Sequence, residues 1–214
     1  MECYGYFSRL WEERARAEPG PDLVSMLAHG DATRDLPANP REFLGTIMLL
    51  IIGGNDTTRN SITSGLLALH QYPEQYRKLR ENPALVETMV PEIIRWTTPV
   101  LHMRRTAVAD AELRGKKIRK GDRVAMWYIS GNRDEEVIEQ ADDFIIDRKR
   151  PRQHLSFGFG IHRCLGERLA ELQLKIMWEE ILKRFPLIEV VGPPRRLYAN
   201  FIRGIESLPV RIPV

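Results

Sequence analysis

The segment from Phe157 to Gly166, Phe-Gly-Phe-Gly-Ile-His-Arg-Cys-Leu-Gly, constrains this chain more than any other part of its sequence. Two glycines before Cys164 allow the backbone to turn tightly and to approach a flat ligand closely. The apolar spacing that follows predicts an amphipathic helix over 164–185. Its apolar face carries Leu165, Leu169, Leu172 and Ile176. Because a helix N-terminus favours a thiolate over a thiol, Cys164 is a candidate metal ligand.

Three other interpretations of Cys164 compete with this one. A cysteine that opens an apolar helix is often a small buried hydrophobe. A structural zinc site needs about four ligands, whereas Cys3 is the only other cysteine. A nucleophilic Cys164 with His162 as its base is weak, because residues two apart do not face each other on a helix and a third orienting group is not apparent.

The spacing of Phe157, Gly160, Cys164 and Gly166 resembles the cysteine-loop signature of the cytochrome P450 superfamily. This resemblance implies that Cys164 is the proximal ligand to the iron of haem b, with the other three residues at the cofactor. Two positions before the cysteine, the family commonly has a cation that contacts a haem propionate, and this chain has His162 there.

Composition and charge bound the class of protein. The chain has 214 residues, of which 43% are apolar and 29% charged, which favours a soluble globular protein over a disordered one. A formal charge of +3 gives no argument for nucleic acid. Two cysteines cannot build a disulfide framework and no signal peptide opens the chain, so we expect a cytoplasmic protein. The apolar window 47–52 is far too short to span a membrane.

Start and stop signals divide the chain into segments. Asn39-Pro40 and Asn82-Pro83 each combine an N-cap with a proline at the first helical position. The fold class expected by resemblance is mainly α with small β-sheets, the C-terminal, haem-binding half of the P450 fold over residues 1–214. The segments are an oxygen-side central helix (40–69), a second helix (83–97), a β-region (104–128), an irregular meander with the cysteine loop (132–163), a proximal helix (164–185) and β-hairpins (190–214).

Glu92 and Arg95 are three residues apart and therefore share one face of the second helix. Such pairs on a surface contribute well under about 1 kcal/mol. The resemblance implies instead a buried Glu-x-x-Arg pair that is needed for a stable haem-bound core. Arg133 and Arg148 are the candidates to complete this network, and similarity to the Asn-Arg-Asp segments of the family favours Arg133. Pro91, inside the same helix, predicts either a kink or a helix that restarts there.

Gly53, Gly54, Asp56 and Thr57 lie in the middle of the central helix, where each glycine costs about 1 kcal/mol relative to alanine. Close helix packing would explain the glycines alone. With the acid and the alcohol adjacent, the segment resembles the acid-alcohol pair on the family's oxygen-side helix. This implies that Asp56 and Thr57 deliver protons during dioxygen activation, with Gly54 at the haem, and that Thr58 is not the catalytic alcohol.

Arg105 begins a strand where the family supplies an arginine to a haem propionate; Arg104 is the alternative if the register differs by one. His154 is either near the haem edge or a solvated loop histidine. The resemblance also places an apolar substrate among Gly53, Val100, Leu101, Met103, Phe201 and Ile202. The sequences 53–61 and 92–105 look most like those of soluble bacterial terminal hydroxylases of alkanes and fatty acids.

Six basic residues lie on the cysteine side of the sequence: Arg148, Lys149, Arg150, Arg152, Arg163 and Arg168. They predict either a solvated basic face or a docking surface for an acidic ferredoxin. The partners implied by the resemblance are ferredoxin and ferredoxin reductase as electron donors, dioxygen and an apolar small molecule, without nucleic acid and without a membrane span.

The resemblance covers nearly the whole chain but only the C-terminal half of the family's fold, so we expect a truncated gene product or a fragment. Two functions remain open. The chain is a monooxygenase, or its catalytic half, that hydroxylates a C–H bond. Alternatively, it is a non-catalytic remnant that folds partially or binds haem without turnover.

Overall fold

A computed structural model describes residues 2–213. Met1 and Val214 lie outside the described residues, so the outer ends of the expected ranges 1–214 and 190–214 are not described. The chain divides into two compact units, with the boundary between Asn55 and Asp56.

The first unit is helical. It contains α1 (Glu2–Arg16), α2 (Leu23–His29), a short 3-10 helix (Leu36–Ala38) and the first part of α3 (Pro40–Gln71). The Asp22 side chain accepts the backbone N–H of Ser25 at 3.0 Å and thereby caps α2. The buried core of this unit consists of Trp11, Ala28, Phe43 and Ile47.

The second unit begins with the remainder of α3 and continues with α4 (Pro73–Glu81). Its later helices are α5 (Val86–Thr97), the single turn α6 (Tyr128–Gly131) and α7 (Glu167–Arg184), with 3-10 turns at Pro83–Leu85 and Gly160–His162. The helix expected over 83–97 is thus a 3-10 turn followed by α5. Because α5 runs without interruption through Pro91, the alternative of a restart at this proline is wrong.

The β-region and the tail form pairs of short antiparallel strands. Strands β1 (His102–Thr106) and β4 (Arg123–Trp127) pair, and β2 (Ala111–Leu113) and β3 (Lys116–Ile118) form a hairpin between them. In the tail, β5 (Glu189–Val190) pairs with β8 (Val210–Arg211), and β6 (Arg195–Arg196) with β7 (Ile205–Ser207). The β6–β7 pair lies between β5 and β8 in the sequence, so the outer pair joins strands about twenty residues apart.

Helix α5 lies at the centre of the second unit's core. Its Met89 and Ile93 are fully buried, and they belong to one cluster with Leu174 and Trp178 of α7. Gly65 of α3 allows this close packing, because a Cβ there would lie 2.7 Å from Ile93 Cδ1 and 3.2 Å from Trp178 Cζ2.

The face of α7 that is buried differs from the expected one. Leu174 and Trp178 are the buried residues of this helix. By contrast, the stripe predicted from sequence lies exposed, namely Leu165, Leu169, Leu172 and Ile176. The periodicity predicted the helix correctly, but it could not decide which of two apolar faces meets the core of this chain.

Between Glu2 and Pro213, no helix is long and apolar enough to cross a membrane.

Candidate functional site around Cys164

The cysteine loop is fixed by backbone hydrogen bonds. The N–H of Cys164 donates to the carbonyl of Phe157 at 2.8 Å, and the N–H of Gly158 donates to the carbonyl of Leu155 at 2.8 Å. Helix α7 begins three residues after the cysteine, with Gly166 as its N-cap. The helix expected over 164–185 thus begins only at Glu167, and Cys164 lies in the loop just ahead of its positive end.

Cys164 is exposed, and so are the large apolar side chains around it. Phe159 is 81% exposed, Ile161 98% and Leu165 93%. Three apolar side chains so open to solvent beside a free thiol form a surface that a flat apolar group would cover. The interpretation of Cys164 as a small buried hydrophobe is therefore wrong.

Gly158 is at a position that disfavours any side chain. Its φ is +73°, in the left-handed region that side chains rarely adopt, and a Cβ there would lie 3.1 Å from the hydroxyl oxygen of Tyr128. Gly160 has a similar φ of +74°, but a Cβ would meet no described atom within 4 Å. Gly158 thus allows the loop to lie against Tyr128, which sequence reasoning did not identify.

Glu92 is the centre of a buried charged network. Its carboxylate accepts from Arg95 Nε and Nη2, both at 2.8 Å, and both side chains are 0% exposed. The backbone N–H of Ile145 also donates to Glu92, at 2.9 Å. Arg95 Nη1 in turn donates to the carbonyls of Asn132 and Ala141, each at 2.7 Å. The pair therefore joins α5 to the irregular segment.

The expectation that Arg133 completes this network is wrong, because Arg148 contacts Glu92 instead. Arg148 donates to its carboxylate from Nε at 3.1 Å and from Nη2 at 3.3 Å. Arg133 lies nearby, 4.1 Å from the centroid of the Trp96 ring, and donates to the Trp96 carbonyl at 3.1 Å. Burial, followed by the charge of Arg95, lowers the pKa of Arg133 to about 10. The chain path of the irregular segment decides which arginine reaches Glu92.

Asn132 is a second link that the sequence analysis missed. Its buried side chain donates to Thr98 Oγ1 and to Ser156 Oγ, each at 2.9 Å, and accepts the N–H of Leu155 at 2.6 Å. Ser156 Oγ also donates to the carbonyl of Ile94 at 2.8 Å. These bonds connect the end of α5 to the residues just before the cysteine loop. The only sequence signal was that Asn132 belongs to the Asn-Arg-Asp triplet.

On α3, Asp56 and Thr57 open the second unit. Asp56 is exposed and accepts from Arg59 Nη2 at 2.9 Å. Thr57 is partly buried, and its carbonyl accepts from Ser61 Oγ at 2.9 Å. Gly53 and Gly54 precede them in the same helix but belong to the first unit, where both are exposed.

Arg104 and Arg105 are successive residues of β1, so their side chains leave opposite faces of the strand. Arg105 is half-buried and pairs across the sheet with Val124, whereas Arg104 is exposed. Met103 lies on the same face as Arg105. Arg105 therefore points to the same side of the strand as Met103, and Arg104 points to the opposite side.

The two segments expected to line a substrate site lie together. Val100 and Ile202 form an antiparallel bridge, and the N–H of Leu101 donates to the carbonyl of Phe201 at 2.9 Å. The ring of Phe201 also lies 6.0 Å from that of His102. These four apolar residues, adjacent as expected, come from positions about a hundred apart in the chain.

His154 is largely buried, so the alternative of a solvated loop histidine is wrong. Its Nδ1 accepts the N–H of Ser156 at 3.3 Å, and its ring lies 5.6 Å from that of Phe157. Burial, and then the charges of Arg163, Arg95 and Arg152, lower its pKa to about 4. His154 also lines a cavity of about 220 Å³ beside the loop.

A larger cavity, of about 500 Å³, lies between α4 and β5, and none of the candidate residues lines it.

The six basic residues do not all lie on an exposed face. Arg148 is only 9% exposed and belongs to the Glu92 network. Arg152 pairs with Glu171 at 2.9 Å and Arg163 with Glu167 at 2.6 Å. No ion pair among residues 2–213 involves the remaining three, Lys149, Arg150 and Arg168.

Comparison with known families identifies this arrangement. The sequence model described as Cytochrome P450 matches residues 14–208, which is most of the chain. The chain belongs to the cytochrome P450 family. Linalool 8-monooxygenase from Pseudomonas putida is 44% identical to this P450 chain over 209 residues, 98% of the chain and 51% of the relative.

Two further relatives have the same relationship. A methyl-branched lipid omega-hydroxylase from Mycobacterium bovis is 42% identical over 208 residues, covering 96% of the P450 chain and 48% of the relative. The solved structure of cytochrome P450-153 from Novosphingobium aromaticivorans superimposes with a TM-score of 0.93 at 47% identity, over 99% of this chain and 52% of that one. The P450 chain thus spans about half the length of the relatives it matches, and it has their mainly α fold with small sheets.

Proteins of this family are haem-thiolate monooxygenases that bind protoporphyrin IX, and the residues of this P450 fit that group. Cys164 offers a thiolate as the iron ligand. The exposed Phe159, Ile161 and Leu165 offer apolar surface, and Gly160 leaves open space where a side chain would stand. The haem cofactor expected from the cysteine loop is therefore confirmed by family and by fit.

Proposed function

We propose that this chain binds haem through Cys164 and contributes to a monooxygenase that inserts one oxygen atom of O2 into a C–H bond of an apolar substrate. Two electrons from a ferredoxin and two protons convert the other oxygen atom to water. The observation that carries the proposal is the free, exposed Cys164, held by its own N–H before α7 and surrounded by exposed apolar side chains. Haem, when bound, supplies the oxygen-activating redox chemistry.

On the cysteine side, the protein's work is positioning. The bond from Cys164 N–H to the Phe157 carbonyl and the glycine turns fix where the sulfur stands, just before the first turn of α7. We assign Phe157, Gly160 and Gly166 to the cofactor surface. His162 and Arg105 are assigned to the haem propionates, because a guanidinium and a ring N–H both donate to carboxylates.

On the oxygen side, we assign proton delivery to Asp56 and Thr57, beside Gly54. Asp56 is exposed and pairs with the exposed Arg59, so its carboxylate is open to water. Thr57, the next residue, is partly buried and carries the hydroxyl that would pass the proton inward.

Within the second unit, the substrate is assigned to Val100, Leu101, Met103, Phe201 and Ile202. All five side chains are apolar, which suits an alkane or a fatty acid. The relatives named for linalool 8-oxidation and for lipid omega-hydroxylation support hydroxylation of a chain terminus.

The proposed electron donor is an acidic ferredoxin reduced by ferredoxin reductase. Of the six basic residues on the cysteine side, Lys149, Arg150 and Arg168 have no ion-pair partner in the described part of the chain, so they are the residues we assign to docking. Both cysteines are free, which fits the reducing cytoplasm that we propose as the location.

The experiment is haem loading followed by reduction under carbon monoxide. We expect about one haem per chain and a thiolate-type absorption band. Cys164→Ser should abolish the thiolate band, whereas Cys3→Ser, at the other exposed free cysteine, should leave it unchanged. A chain that takes up no haem, or a band that survives Cys164→Ser, would overturn the proposal.

Turnover separates the two functions left open by the sequence. With ferredoxin, its reductase and a fatty acid, a monooxygenase forms hydroxylated product in an amount that depends on Asp56 and Thr57. Haem binding without any product would identify a non-catalytic remnant.

A further inference from the structure

The tail turn at 199–204 is joined to the segment at 99–101 by a minimal antiparallel ladder. The N–H of Leu101 donates to the carbonyl of Phe201 at 2.9 Å, and the N–H of Arg203 donates to the carbonyl of Pro99 at 2.8 Å. Val100 and Ile202, between these bonds, form the closely spaced type of cross-strand pair. Two hydrogen bonds and one apolar pair are marginal by themselves.

The guanidinium of Arg203 adds a contact from the same turn to α5. Its Nη1 donates to the carbonyl of Trp96 at 3.2 Å and to that of Thr97 at 3.3 Å. These carbonyls belong to the last turn of α5, where the helix itself offers them no N–H donor. This turn is also the negative end of the helix dipole, which attracts a cation.

Arg203 has no ion pair with any of residues 2–213, and it is partly buried. Burial, and then the neighbouring charge of Arg196, lower its pKa. Among the described residues, carbonyls at the end of α5 are therefore the partners of the partly buried Arg203 guanidinium. Because Arg203 belongs to the tail turn, these contacts form only when the turn lies against α5.

A second contact holds the turn from the other side. Asn60 of α3 is 1% exposed, and its Oδ1 accepts the N–H of Ile205 at 2.9 Å. Asn60 lies one helical turn after Thr57. The turn is consequently fixed between α3 and the end of α5.

We propose that Arg203 is a positioning residue that holds the two paired apolar segments, 99–101 and 201–202, together as one surface, and thereby determines which substrate chain length binds best. This inference rests on the proposed function, which assigns both walls to the substrate. Without the guanidinium, the short ladder opens, and the site accommodates chains of different lengths with more nearly equal affinity.

The first test needs neither haem nor substrate. Arg203→Met keeps the apolar stem and removes the donor, Arg203→Lys keeps a cationic donor, and Arg196→Gln changes an exposed arginine of the same tail. In hydrogen exchange, we expect the amides of residues 101 and 203 to exchange about ten-fold faster in Arg203→Met, and near the wild-type rate in the other two variants. Unchanged exchange in Arg203→Met would overturn the positioning role.

The second test measures how strongly the protein discriminates between substrates of different chain length. A residue that only stabilised the fold would not change this discrimination. The haem-loaded protein is titrated with n-alkanes from octane to hexadecane, and binding is followed by the haem absorption change. We expect Arg203→Met to reduce the affinity ratio between the best and the poorest alkane by about ten-fold, and Arg203→Lys to retain most of it. An equal loss of affinity for every alkane, or an unchanged ratio, would overturn the selectivity role.

The two failures are distinguishable. If the wild-type chain takes up no haem, the proposed function fails, and hydrogen exchange alone decides whether Arg203 holds the turn. If wild-type titration succeeds and Arg203→Met behaves like wild type in both tests, the inference fails while the proposed function stands.

Discussion

Arg148 donates two hydrogen bonds to the buried carboxylate of Glu92, although 56 positions separate the two residues in the sequence. Together with Arg95, it gives Glu92 two cationic partners in a site that excludes water. The bonds hold the irregular segment, and with it the approach to the cysteine loop, against α5.

Removing the charge of Glu92 should therefore be costly. Glu92→Gln leaves Arg95 and Arg148 buried without a counter-charge, and we expect the free energy of unfolding to fall by about 3–5 kcal/mol. Urea denaturation measures this, with Glu180→Gln in an exposed ion pair as the control. Equal effects of the two variants would show that the Glu92 network does not stabilise the fold.

The choice of Arg148 over Arg133 has its own test. Arg148→Met removes a direct partner of Glu92 and should destabilise the chain by about 3 kcal/mol. Arg133→Met loses stacking on Trp96, one carbonyl contact and an ion pair with the exposed Asp142, and should cost only about 1–2 kcal/mol. The same denaturation series ranks them, and the reverse order would contradict the network described here.

Gly158→Ala should disturb the cysteine loop more than Gly160→Ala. Both place a side chain at positive φ, at a cost of about 1–3 kcal/mol, but only at Gly158 does the new methyl group meet the Tyr128 hydroxyl. We expect Gly158→Ala to be the worse variant by about 1 kcal/mol, and Tyr128→Phe to recover this difference. A double-mutant cycle by denaturation isolates the contact, and additive effects would refute it.

Acid should destabilise the fold through His154. Its folded-state pKa of about 4 lies below the ordinary 6.5, so between these pH values the unfolded chain binds a proton that the folded chain does not. Stability is unaffected above pH 6.5 and falls as the pH drops toward 4, by up to about 3 kcal/mol.

His154→Gln should remove this part of the pH dependence. Denaturation of wild type and variant at a series of pH values gives the difference curve, which cancels the titration of carboxylates common to both. His70→Gln, at an exposed histidine of α3, is the matched control. A difference curve that is flat between pH 4 and 6.5 would exclude the effect.

Gly65→Ala and Gly45→Ala, both in α3, should change the stability of the chain in opposite directions. A methyl group at Gly65 overlaps Ile93 and approaches Trp178, so we expect a loss of about 1–3 kcal/mol. At Gly45 the added carbon would meet no described atom outside its own stretch of helix within 4 Å, and the higher helix propensity of alanine should give up to about 1 kcal/mol of stabilisation. Thermal unfolding of both variants measures the two signs.

Local sequence patterns sufficed for most helices and for the position of the cysteine. Proline and asparagine at the helix starts, the glycines of the loop and the apolar spacing after Cys164 each act within a few residues, so they can be interpreted without the fold. Val100 and Ile202 are about a hundred residues apart, beyond the range of such local signals. Their adjacency could therefore be predicted only from the resemblance to a family. Nothing in the local spacing of either segment predicts their pairing.

Helices, short strands and a cysteine just before a helix follow from the order of residues alone, because capping, turn formation and periodicity depend on near neighbours. The folded chain was needed to show that Arg148 reaches Glu92, that α7 buries Leu174 and Trp178 instead of its other apolar face, and that Arg203 meets the end of α5. These contacts join residues far apart in the chain, and several side chains of equal chemistry competed for each. The path of the folded backbone, which no local pattern contains, selects among them.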